Sequence, residues 1–130
     1  MNTEYEIWHL MYLGFISNAM YMVAMVLLTW LGFRFAARIY DDSNANIAAK
    51  VTATLFYLLV GIMFYNTAQI GGAIIGGAAE NLSALEEVSQ RGQDLINRVE
   101  SGFVPGGLVS TSLNVVIVFF QLAMTWGKKA

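Results

Sequence analysis

Charged side chains divide this 130-residue chain into three long stretches that contain none. No Lys, Arg, Asp or Glu occurs between Glu6 and Arg34, between Lys50 and Glu80, or between Glu100 and Lys128. Each stretch exceeds the ~20 residues that carry a helix across a hydrocarbon core about 30 Å thick. Inside lipid a backbone must satisfy its own hydrogen bonds, which leaves helices or closed barrels. Barrel strands run to about 10 residues and alternate, whereas these stretches are longer and more continuously apolar. The pattern predicts an all-α integral membrane protein with three transmembrane helices, at about 7–33, 48–79 and 108–126. A soluble helical bundle would show a polar face at helical period, and the first stretch has none.

The spans differ in kind. Trp8 and Trp30 bracket the first and lie 22 residues apart, roughly 33 Å along a helix, which is the separation of two interfacial aromatic belts. A polar turn at 40–47 follows, with Ser43 or Asn44 as the expected cap of the next helix. The second span is too long for one crossing, since the residues from Lys50 to Glu80 would extend roughly 45 Å as a helix. Tilt, protrusion into water, or a break at Gly71-Gly72 or Gly76-Gly77 would each absorb the surplus.

Residues 80–102 are the only sizeable polar stretch. Leu82, Leu85, Val88, Leu95 and Val99 recur at helical steps among Glu86, Glu87, Arg91, Asp94 and Arg98, which predicts one amphipathic helix outside the membrane, either continuing the second span or lying on the membrane surface. Glu87–Arg91 and Asp94–Arg98 are spaced as i,i+4 ion pairs. Gly102 and Pro105-Gly106-Gly107 end that helix before the third span. No internal repeat or domain boundary occurs, so 1–130 is expected to form a single membrane unit.

Composition narrows the functional classes. Only 12% of the residues are charged and 57% are hydrophobic, against about a quarter charged in soluble domains. A net charge of −2 offers no basic face for nucleic acid. The absence of Cys removes thiolate chemistry and disulfides. His9 is the only histidine, so bis-histidine haem ligation within the chain is excluded. No metal or other cofactor is expected. No ionisable residue lies within a span, which argues against a proton-coupled pump. No nucleophile–base pair or carboxylate pair sits where a pocket could form, so an enzyme is not expected.

Two features remain as candidates for function. In the second span Ala68, Gly72 and Gly76 form a ladder at four-residue intervals, widened by Gly71, Ala73 and Gly77, a pattern suited to close helix packing within or between chains. Polar groups also recur at depth. Thr111, Asn114, Gln121 and Thr125 form a stripe on the third span, with Asn66 and Gln69 on the second and Asn18 on the first. An amide facing lipid leaves donors and acceptors unpaired, so these groups are expected to meet another helix or water.

The expected function is a non-catalytic structural or accessory subunit of an oligomeric membrane complex, assembled through the glycine ladder and the amide seam. The alternative is a homo-oligomeric passive channel lined by the third-span stripe. Expected partners are membrane lipids and either further copies of the chain or other membrane subunits. Arg34, Arg38 and Lys50 in the first loop, with Lys128 and Lys129 at the C-terminus, outnumber Arg91 and Arg98 on the opposite side. That asymmetry predicts a cytoplasmic loop and C-terminus with the N-terminus outside, in a prokaryotic inner membrane. The N-terminus lacks the basic region of a signal peptide, so the first helix is expected to be retained.

Overall fold

A computed structural model describes residues 3–127. Within them lie four helices, α1 Glu4–Asp41, α2 Ile47–Ser83, α3 Gln90–Glu100 and α4 Leu108–Trp126. The described chain contains no strand. Three of the helices, α1, α2 and α4, are long and apolar enough to cross a membrane.

α1 opens on a capping box, in which Glu6 N–H donates to Thr3 Oγ1 and Thr3 N–H to the Glu6 carboxylate. It continues past the apolar stretch through Arg34 and Arg38 and is 38 residues long, about 57 Å. The turn to α2 is built on Asp42, whose carboxylate accepts from Asn44 N–H at 2.9 Å and whose carbonyl accepts from Ala45 N–H. Neither Ser43 nor Asn44 therefore caps α2. Asn46 does, accepting from Ala49 N–H at 2.8 Å.

α2 runs unbroken through all of its glycines. A glycine costs a helix about 1 kcal/mol, but an opened backbone in an apolar setting costs more for each unpaired group. The surplus length of the second span is thus helix rather than a hinge. The polar stretch at 80–102 differs from a single helix. Its first four residues complete α2, because Leu82 is fully buried against α1 in a cluster with Ile7, Met11 and Ala78. The chain turns at 84–89, and Ser89 starts α3 by accepting from Gly92 N–H. Glu87 consequently sits in the turn rather than one helical turn before Arg91, and Asp94 accepts from Gln90 instead.

α1 and α2 form a long antiparallel hairpin, and α4 packs against both. α4 is 19 residues long, about 28 Å, and covers only the half of the hairpin nearest the α1–α2 turn. Its C-terminal Trp126 reaches Thr54, and the loop before its first turn reaches Gln69. α3 covers the other half, with Leu95 and Ile96 packed on the Ile7–Leu82 cluster. The third layer of the bundle is therefore two helices separated by the loop at 101–107. A second apolar cluster, Ala36, Ala53 and Tyr57, closes the turn end.

Candidate assembly site

Between the two apolar clusters the helices are joined by amide side chains that donate to backbone carbonyls. Asn18 of α1 donates to Thr67 O of α2 at 3.2 Å. Gln69 of α2 donates to Gly106 O in the loop before α4 at 2.7 Å. Asn114 of α4 donates to Gly61 O of α2 at 3.0 Å, and Gln121 of α4 to Thr29 O of α1 at 3.1 Å. Nearer the turn, the Tyr57 hydroxyl meets Thr125 Oγ1 at 2.8 Å, both side chains being buried. Thr111 bonds more locally, to Gly106 O at 3.4 Å. Helix carbonyls have a second lone pair, so they accept these bonds without giving up their own ladder. Every buried side-chain nitrogen and oxygen among the described residues has a partner.

Glycines make these approaches possible. A Cβ on Gly32 would lie 2.6 Å from Gln121 Nε2, and one on Gly61 would lie 2.9 Å from the Val118 side chain. At Gly71 it would press on Asn18 and Pro105, and at Gly72 it would overlap the Pro105 carbonyl oxygen. The loop turns at Gly106, where φ is +82°, and aims its carbonyl at Gln69.

The predicted ladder is thus divided. Ala68 faces the bundle interior, and Gly72 is occupied by the α4 loop, while a Cβ on Gly76 or Gly77 would meet nothing within 4 Å. Steps of four residues advance about 40° around a helix, so the ladder winds from the core to open space. The stripe of α4 faces the hairpin. Gln121 and Thr125 are buried, and Thr111 and Asn114 sit half-exposed in a cleft of about 440 Å³ between α2 and α4.

Of the predicted polar residues, Asn66 is the exception. It is exposed, with no partner among the described residues. Asn66, Ile70, Ala73 and Gly77 all lie exposed on the side of α2 opposite Ala68. Spacings of four, three and four residues align them in one stripe.

The ends carry a different pattern, in which each tryptophan lies under a cation. Arg34 lies 5.1 Å from the Trp30 ring, Lys50 5.6 Å from that of Trp126 and Arg91 4.4 Å from that of Trp8. At the α3 end, Glu4 accepts from Trp8 Nε1 at 3.3 Å and from both the amide and the hydroxyl of Ser89, while Arg91 donates to the Tyr12 hydroxyl. Gly92 lets this corner close, because a Cβ there would crowd Val88 and the Glu4 carboxylate. Glu4 lies outside the apolar run, and the Ser89 hydroxyl, more than any other group, holds its pKa below the ordinary carboxylate value. His9 is exposed and stacks on Tyr5.

Sequence reasoning did not single out Thr29, Thr67 and Gly61, which contribute only carbonyls, or the Glu4–Ser89 contact, which joins residues 85 apart. The expected basic C-terminus, Lys128 and Lys129, lies outside the described residues. No group of three or more His, Cys, Asp or Glu side chains among the described residues could hold a metal ion. Comparison with protein-family models, with curated proteins and with solved structures finds no match.

Proposed function

We propose that the chain is a non-catalytic structural subunit of an oligomeric membrane assembly, and that it docks through the exposed side of α2. One observation carries this reading. The other amides at depth, Asn18, Gln69, Asn114 and Gln121, are spent on carbonyls within the chain, while Asn66 stands unpaired on an apolar face beside Ala73 and Gly77. An amide left in lipid is costly, and small residues about two and three turns along the same face let a second backbone approach closely. Because an amide both donates and accepts, Asn66 of a second copy is the simplest partner. The docking face is then Asn66, Ile70, Ala73 and Gly77, with Gly76 at its edge, and not the interior rungs Ala68 and Gly72.

The pore reading receives no support from the α4 stripe, because lining a channel with Asn114 and Gln121 would require breaking the bonds that hold α4. In the proposed arrangement α3 and the adjoining ends of α1 and α2 stand outside the hydrocarbon core. The turn carrying Arg34, Arg38 and Lys50 faces the cytoplasm of a prokaryotic inner membrane.

The test is the native mass of the protein in lipid nanodiscs. The wild type is expected to be oligomeric, and Asn66→Leu or Gly77→Leu to shift it toward monomer with helix content unchanged. A monomeric wild type, or an oligomer indifferent to both changes, would overturn the proposal.

A further inference from the structure

At the turn end, α1 and α2 leave a cleft of about 520 Å³ between them, lined by Phe35, Arg38, Ile39, Ala48, Ala49, Thr52, Ala53 and Phe56. Its origin is local. The first turns of α2 present Ala48, Ala49, Thr52 and Ala53, which are too small to fill the space beside the Phe35 and Phe56 rings. Those rings meet edge-to-face at 5.4 Å and form the deep end. Arg38 and Ala48 stand toward the turn, roughly 12 Å of helix above Phe56.

The cleft thus runs from a cation to a pair of aromatic rings, in the direction from the charged end of the molecule into its apolar span. Arg38 is exposed and has no ion pair or hydrogen bond among the described residues, whereas Arg34 and Lys50, its basic neighbours at the same end, each cover a tryptophan ring. No Asp or Glu lines the cleft, so nothing in it would pair with the ammonium of a zwitterionic headgroup. A guanidinium matches a phosphate in two-point geometry.

We infer that this cleft is a binding site for one anionic phospholipid, with its phosphate on Arg38 and an acyl chain laid along Ala49, Thr52 and Ala53 to the Phe35–Phe56 pair. This site is independent of the α2 docking face, which lies at another depth and on residues the cleft does not use.

The experiment is native mass spectrometry of the full chain released from phosphatidylcholine nanodiscs doped with phosphatidylglycerol. The wild type should retain one phosphatidylglycerol in preference to phosphatidylcholine. Arg38→Gln should cut that retention about five-fold, the effect of one basic side chain at an anionic surface. Ala49→Leu keeps the cation but fills the cleft, and it should abolish retention of either lipid. Thr52→Leu fills the same space from the next turn and should act alike, which guards against a folding defect in one variant. Arg34→Gln removes a charge outside the cleft and should leave retention unchanged. Equal retention of the two lipids by the wild type would overturn the inference. So would retention that survives both cleft-filling changes, or a loss with Arg34→Gln as large as with Arg38→Gln.

Discussion

The two halves of the α1–α2 hairpin are covered by helices that hold on by different means. α4 packs Leu122 and Met124 on the cluster at the turn and is otherwise held through amides aimed at carbonyls, with glycines beneath them. α3 binds the other half through an apolar cluster and a carboxylate accepting from Ser89, and it donates no side-chain amide to a carbonyl of the hairpin among the described residues. In the proposed membrane arrangement the division follows from solvent. Lipid tails are as apolar as leucine, so burying leucine between helices gains little there, and association depends on packing and hydrogen bonds. Against water the preference reverses, because burying apolar area is favourable and exposed polar contacts contribute little. In the proposed membrane arrangement this change of method along one hairpin corresponds to a change of surroundings, with the hydrocarbon boundary near the loop at 101–107.

The largest expected effect tests that boundary. Leu82 is fully buried in the cluster beneath α3. If that end of the hairpin is bathed in water, Leu82→Ala loses transfer free energy as well as packing, about 2–5 kcal/mol. If it lies in lipid, only the packing loss remains. Unfolding in mixed detergent micelles measures the difference, and a cost well below that range would move the boundary outward.

A smaller effect is expected at the other half. Gln121→Met keeps the length of the side chain and removes its bond to Thr29 O. That carbonyl keeps its helical partner, so no buried group is orphaned, and the cost should be near the average of about 0.6 kcal/mol for such bonds and below about 1.7. The same unfolding measurement applies. A cost matching that of Leu82→Ala would show that the halves are not held differently after all.

The two halves were also unequally legible in the sequence. α4 matches its apolar run at 108–126, because hydropathy there ends on Gly107 and Gly127, which also end the helix. α1 and α2 overrun their apolar runs, since hydropathy reports solvent and not where a helix stops. The capping box at Thr3 and the Asp42 turn set those ends instead. The periodic leucines and valines from Leu82 to Val99 read continuously across 84–89 and concealed the break, although Ser89 is a cap residue by type. Among the candidate residues, the polar character of Asn18, Gln69, Asn114 and Gln121 was visible, but their acceptors were not. A carbonyl has no side-chain signature, and the fit of Pro105 onto Gly72 joins two motifs far apart in the chain. The exposure of Asn66 could not be read either, because its helical position matters only once the other faces of α2 are filled.

The smallest expected effect concerns pH, and it should touch only the α3 half. Glu4 is partly exposed, and its pKa is lowered first by the Ser89 hydroxyl, with Trp8, the Ser89 amide and Arg91 contributing in the same direction. A carboxyl whose pKa is lower in the docked state stabilises that state at pH above its undocked value. That contribution is lost as pH falls through the lowered value, when protonation removes the charge that strengthens the bonds to Ser89 and makes one of the two accepting oxygens a donor, loosening the start of α3. Amide hydrogen exchange corrected for its intrinsic pH dependence should therefore show α3 opening more often in acid, while the amides of α4 around Asn114 and Gln121, which face no titrating group, keep their protection. In Glu4→Gln the acid-dependent opening of α3 should disappear. If α4 loosened in parallel with α3, the two halves would form one cooperative unit, and the separation drawn from their different chemistry would fail.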